Sequence, residues 1–349
     1  MNSKKTIIAT FSLLLCALLV MGTINVVIDP LFQYHKPWFG LEPVVTNERY
    51  QNAGIAKNFN FENVILGNSM CENFLVSDVE EVFGGKTVKL TASGSRMLDW
   101  SYLLKILSER KNPPKKILVN LDFGFIDSSY KKTRHELPFF LYDDNPFNDV
   151  EYLFNFTLLR NYTYEAINAN INDSVPDYNT VFGWFDETKN GKDKVIDSYF
   201  RNTQNNPYRF SEEIYTDGNL RLLKKSVESM PDTQFVFFIS PYSVLNWKDI
   251  VENGYWDEYK KEFEKIITFM LQYKNISVYA WADDEIFDII SDLDNYRDEM
   301  HYGAHINKEI LIRIDRGIGL LPANKEKWQP VLDKYFDYFE NFDYESIFI

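Results

Sequence analysis

The sequence predicts an α/β fold: a three-layer α/β/α sandwich around a mostly parallel sheet, preceded by one membrane-spanning helix. Three observations carry that expectation. Short β-branched and aromatic runs alternate with stretches of helical period, each run is bounded by turn residues, and the first 28 residues are almost free of charge. Strands covered on both faces read as continuous apolar runs, and alternation with helices is what joins parallel neighbours.

Thr6 to Ile28 holds 23 residues without a charge, after Lys4 and Lys5 and before Asp29. At about 1.5 Å per residue this reaches roughly 34 Å, enough for a hydrocarbon core of about 30 Å with some tilt. A cleaved signal peptide and a lipoprotein signal ending at Cys16 are the alternatives. No small-x-small site is found around Val20 to Asn25, and Cys16 follows three leucines in mid-segment. An uncleaved anchor fits better, with Lys4 and Lys5 cytoplasmic and the chain after Asp29 outside the cell membrane. Beyond it the only cysteine is Cys71, so that part cannot close an internal disulfide.

Residues 29–60 read as an irregular juxtamembrane segment, and residues 61–321 as the α/β domain. Strands are expected at Val64–Leu66, Thr87–Leu90, Ile117–Val119, Phe235–Ile239 and Ile276–Tyr279. Helices are expected near 70–83, 97–110, 211–229, 256–273 and 305–318. The interval 128–210, rich in Tyr, Phe, Asn and Asp, reads as an inserted subdomain containing a helix near 152–168, because so long a loop is rare in a compact domain. Residues 322–349 form a C-terminal amphipathic segment, with Trp328, Leu332, Tyr335, Phe336 and Phe339 on one face and acids on the other. Packing on the domain is its expected role.

Charge narrows the partners. Removing Lys4 and Lys5 from 37 basic residues leaves 35 against all 51 acidic ones, a net charge of −16 after the anchor. Nucleic-acid binding rests on Lys and Arg neutralising phosphates, and the richest run, Lys111 to Lys116, is interrupted by prolines. Nucleic acid is therefore not an expected partner.

Chemistry is sought among few groups. Of four histidines, His35 follows the anchor and His135 opens the insertion, which leaves His301 and His305 in a loop after the last strand. Ligands of open α/β sheets bind beyond the carboxyl ends of the strands. Asp298, three residues before His301, can hold one imidazole nitrogen and leave the other to take a proton. A metal on His301 and His305 lacks a third ligand nearby. Ser69 follows the first strand in Gly67-Asn68-Ser69-Met70-Cys71-Glu72, where a hydroxyl stands at the top of the sheet and the N–H groups of a first helical turn are free. The competing interpretation makes Ser69 an N-cap, with Glu72 closing a capping box. Cys71 is the rival nucleophile. Gly94, after the second strand, lets a backbone N–H approach an oxyanion.

Together these blocks resemble the SGNH/GDSL hydrolase superfamily, over roughly residues 60–320. Gly67-Asn68-Ser69 is similar to the nucleophile block, Gly94 to the oxyanion glycine, and Asp298 with His301 to the closing Asp-x-x-His block. The resemblance implies a flavodoxin-like sheet and a Ser69–His301–Asp298 triad. Its oxyanion hole would use the amides of Ser69 and Gly94, with Asn120 as a further candidate donor, and no cofactor or metal is implied. With the anchor, it implies kinship to membrane-anchored proteins that accompany membrane-bound O-acyltransferases and add or remove acyl groups on cell-envelope polymers. One departure stands out: Asn120-Leu121-Asp122 puts Asp122 where the family's Gly-x-Asn-Asp block has an oxyanion-donating Asn, and a carboxylate only accepts hydrogen bonds. A catalytically silent adaptor for such an acyltransferase is the alternative. The acidic balance argues for a neutral glycan, or one with compensating cationic groups, as acyl acceptor.

Overall fold

In a computed structural model, residues 3–205, 213–252 and 254–348 are described. Contacts divide the chain into two units, residues 1–60 with 136–181, and residues 61–135 with 182–349. The interval expected as one insertion, 128–210, is thus shared between them.

The second unit is built on five parallel strands, β1 Asn63–Gly67, β2 Thr87–Thr91, β3 Lys116–Leu121, β4 Gln234–Ile239 and β5 Ile276–Tyr279, in the order β2-β1-β3-β4-β5. All five expected strands are present. Val64, Ile65, Leu66, Ile117, Leu118 and Phe235 have no exposed surface, which is why these runs alternate so little in sequence. The chain lays β2 on one side of β1 and returns to lay β3 on the other. That reversal opens a crevice at the carboxyl ends of β1 and β3, the usual ligand position in open α/β sheets.

Helices Met97–Ser108, Thr216–Ser229, Trp256–Met270 and Ala304–Asp315 lie in the regions periodicity places; of the span expected over 211–229, residues 213–215 are not helical and 211–212 lie outside the described residues. The helix expected over 70–83 is broken into a 3-10 turn, Ser69–Cys71, and a helix, Val76–Phe83. In the C-terminal helix Lys325–Glu340, Trp328, Leu332, Tyr335, Phe336 and Phe339 are buried, each such burial stabilising by roughly 1.5–3 kcal/mol. Phe339 stacks on Trp247 at 4.5 Å between ring centres, and Phe336 meets Trp256 and Phe263 edge to face.

The first unit contains α1, Ser3–Ile28, which is long and apolar enough to cross a membrane. Its residues 3–20 are exposed, whereas Gly22 and Asn25 are buried. Asn25 donates to the carbonyls of Leu153 (3.1 Å) and Tyr152 (3.4 Å) and accepts from the Thr163 hydroxyl. Residues 29–60, expected to be irregular, are not wholly so: α2 spans Glu48–Asn58. Its polar residues Gln51 and Asn52 are buried, and a Cβ on Gly54 would lie 2.1 Å from the Leu31 carbonyl, so the helix is held by contacts rather than by an amphipathic pattern. The helix expected over 152–168 is a broken series with a π-helical turn at Leu159–Thr163.

Candidate active site

β1 delivers Gly67 and Asn68 to the crevice. A Cβ on Gly67 would stand 2.5 Å from both Asn120 Oδ1 and Cys71 Sγ, so a side chain here would displace both neighbours. Asn68 caps the following 3-10 turn, its Oδ1 accepting from the Met70 N–H at 3.1 Å. Ser69 is therefore not the cap. Glu72 closes no capping box with it, and instead accepts from the Ser93 hydroxyl at 2.8 Å. Freed from capping, the Ser69 hydroxyl turns to His301: Oγ lies 2.8 Å from Nε2.

The opposite nitrogen of His301, Nδ1, lies 2.8 Å from Asp298 Oδ2 and 2.9 Å from Oδ1. A carboxylate only accepts, so Nδ1 carries the proton and Nε2 accepts from the Ser69 hydroxyl. Asp298 Oδ1 also accepts from the N–H groups of Met300 (2.9 Å) and His301 (2.8 Å). Burial pushes this carboxyl up, but the His301 imidazole and the two amides outweigh it and hold Asp298 below its ordinary range. The group stays ionised and can stabilise an imidazolium.

Tertiary bonds fix the loop that carries this pair. Arg297 N–H donates to the His301 carbonyl, Tyr296 hydroxyl to the Pro241 carbonyl, and Ser243 hydroxyl to the Glu299 carbonyl. Asn307 Nδ2 donates to the Met70 carbonyl at 3.0 Å and so ties the histidine side of the site to the serine turn. The Trp184 ring meets His301 edge to face at 5.4 Å, and the Trp184 backbone N–H donates to Asn73 Oδ1. Nothing in the local sequence marks Trp184 as a support for His301.

Ser69 and His301 line a cleft of about 260 Å³ together with Gly94, Arg96, Arg134, His135 and Tyr242. Gly94 has φ +68°, a left-handed backbone that favours glycine, and a Cβ there would lie 3.0 Å from His135 Nε2. His135, set aside in sequence because it opens the long interval, thus returns to the site; the chain beyond β3 brings it back over Gly94. Among the described residues the amides of Ser69 and Gly94 have no acceptor, which leaves both able to donate to an oxyanion.

Asn120 and Asp122 belong to the floor. Asn120 Nδ2 donates to Asn68 Oδ1 (3.2 Å) and Asp122 Oδ2 (3.3 Å), so both amide hydrogens are engaged and neither is left for an oxyanion. Asp122 accepts from Asn68 Nδ2, Arg96 Nη1 (3.2 Å), the Tyr242 hydroxyl (3.3 Å) and the Gly124 N–H (2.8 Å). It organises the floor and supplies no donor. Burial lowers the Arg96 pKa, but Asp122 and then Asp127 reverse that, so Arg96 remains a cation. Cys71 is fully buried, donates to Asn120 Oδ1, and burial raises its thiol far above the ordinary range. It is no nucleophile.

His305 stands apart, exposed, within reach of Glu187 (3.3 Å) and Asn295 (3.1 Å). Among the described residues no group of three or more His, Cys, Asp or Glu side chains is placed to hold a metal. A larger cavity of about 510 Å³ borders helices Thr216–Ser229 and Trp256–Met270, but among the described residues its lining has no Ser, Cys or His, so size does not locate the chemistry. No protein-family model matches the chain, and no curated protein sequence matches it significantly.

Proposed function

We propose that the protein is a membrane-anchored serine esterase or O-acyltransferase of SGNH/GDSL type, with its three-layer α/β/α domain outside the cell membrane and its N-terminus in the cytoplasm. The observation that supports this reading is the relay Ser69 Oγ, His301 Nε2, His301 Nδ1 and Asp298, all at 2.8–2.9 Å. Ser69 Oγ attacks an ester carbonyl while Nε2 takes its proton. The tetrahedral oxyanion rests on the amides of Ser69 and Gly94. Collapse expels the alcohol, which takes the proton from Nε2 and leaves Ser69 acylated. A water or an acceptor hydroxyl then attacks the acyl-enzyme in the same way, giving hydrolysis or transfer. The substrate class this reading carries, acyl (acetyl-type) esters of a cell-envelope polysaccharide or related polymer, comes from the family resemblance, as does a partnership with a membrane-bound O-acyltransferase.

A second reading, the silent adaptor, draws on Asp122, which stands where an oxyanion donor is expected and accepts hydrogen bonds instead. Loss of one such donor costs other enzymes about 100- to 1000-fold in turnover. A fluorophosphonate probe on the full chain in detergent separates the two. The esterase reading expects labelling that vanishes in Ser69→Ala; labelling equal in both proteins rules out Ser69, and an unlabelled wild type favours the adaptor.

A further inference from the structure

Outside the anchor the protein is strongly acidic, yet the side chains that face the cleft are not. Arg96, Arg134, His135 and His301 line it, and among the described residues no carboxylate does. The nearby acids lie behind this lining: Asp122 is buried with both oxygens engaged, Asp298 is turned to His301, and burial pushes Asp127 up to about 6 against the pull of Arg96. Arg96 bonds Asp122 through one nitrogen, Nη1. Arg134 is exposed, and among the described residues it has no hydrogen bond or ion pair. The two guanidinium groups are close enough that Arg96 lowers the Arg134 pKa, after burial. Like charges held in one cleft are relieved by an anion between them, and the guanidinium fork matches the paired oxygens of a carboxylate or phosphate.

Position gives this charge a meaning for the reaction. Arg134 Cδ would lie 3.5 Å from a Cβ on Gly94, and His135 Nε2 only 3.0 Å away. Arg134 and His135 therefore flank the amide that receives the oxyanion, beside the ester rather than at a remote surface.

We propose that Arg134, with Arg96 and His135, forms an anion subsite beside Ser69, so that the substrate carries a carboxylate or phosphate close to its acyl ester. This rests on Ser69 being the nucleophile, and it replaces the neutral acceptor inferred from net charge by a locally anionic one. The overall charge of −14 repels such a molecule at a distance, so recognition acts at contact range.

The test uses the full chain in detergent and three acetyl esters: neutral 4-nitrophenyl acetate, 4-acetoxybenzoate and 4-acetoxyphenyl phosphate. Their kcat/KM ratios, anionic over neutral, are compared in wild type and Arg134→Gln. The subsite expects a ratio that falls about tenfold in the variant for the anion it takes, as loss of a charge-assisted hydrogen bond implies. Which of the two anionic esters loses more tells carboxylate from phosphate. A ratio unchanged in Arg134→Gln for both anions overturns the subsite. Absence of any Ser69-dependent turnover removes the esterase reading instead. The subsite is then judged by inorganic phosphate binding in 31P NMR, weakened by Arg134→Gln if the subsite exists and equal in both proteins if it does not.

Discussion

Two aspartates, one in each unit, gather backbone amides in nearly the same way and end with opposite acidities. Asp298 accepts from Met300 N, His301 N and His301 Nδ1, and its pKa is lowered. Asp29, just beyond α1, accepts from Gln33 N (2.9 Å), Tyr34 N (2.7 Å), His35 N (2.8 Å) and the Tyr152 hydroxyl, yet its pKa is raised because burial outweighs all four. The side chain of Asp298 keeps 27% of its exposure; Asp29 has none. Hydrogen-bond count does not separate them. Water and the partner do: Asp298 pairs with the His301 imidazole in a partly exposed site, whereas Asp29, among the described residues, is held by backbone amides and one phenol hydroxyl in a sealed site. The first suits a group that must stay ionised through a reaction. The second suits a joint, turning the chain out of α1 at a residue with φ +46°.

The largest effect belongs to Asp298→Asn. An amide in its place favours the wrong imidazole tautomer, and we expect aryl acetate turnover and fluorophosphonate labelling to slow by about 1000- to 10,000-fold with the fold intact. Undiminished rates would show that Asp298 is no more than a loop cap. Asp29→Asn sets an NH2 group among donors that need an acceptor, a loss of about 1–3 kcal/mol. Hydrogen exchange should quicken around Tyr34 and Tyr152 while the amides of β1 and β3 are spared. Gly94→Ala forces a side chain into a left-handed backbone against His135, a cost of about 1–2 kcal/mol read as a lower Tm, with slower labelling of Ser69.

The smallest effect is in pH, and it runs in opposite directions in the two units. Native Asp298 holds its proton less tightly than the unfolded carboxyl. Its contribution is complete above the unfolded value of about 3.9 and is lost as pH falls through the native one. Native Asp29 holds its proton more tightly. The first unit gains stability as pH falls through Asp29's native value, a gain complete below about 3.9. Exchange protection followed in each unit from neutral to acid pH should diverge, and Asp29→Asn should flatten the first trend alone.

Much of the second unit was readable because burial on both faces leaves apolar runs such as Phe235-Val236-Phe237-Phe238-Ile239, and because strand ends and helix starts carry the short polar motifs around Ser69 and Gly94. α2 was not readable: Glu48–Asn58 holds few apolar residues, and its burial comes from packing on Leu31 and Phe32. The supports of the site were hidden for a similar reason. Trp184 and His135 lie in stretches without period, and only the folded chain carries them to His301 and Gly94.

Residue order alone settles the alternation of strands and helices, the apolar length of α1, and the presence of Ser69, Asp298 and His301 at segment ends, since these depend on local pattern and composition. Tertiary structure decides that Asn68 rather than Ser69 caps the turn, that Asp122 is drawn into the floor, and that Arg96 and Arg134 face one cleft in an acidic protein. Local electrostatics are set by which charges meet and which are buried, and a sum over the sequence contains neither.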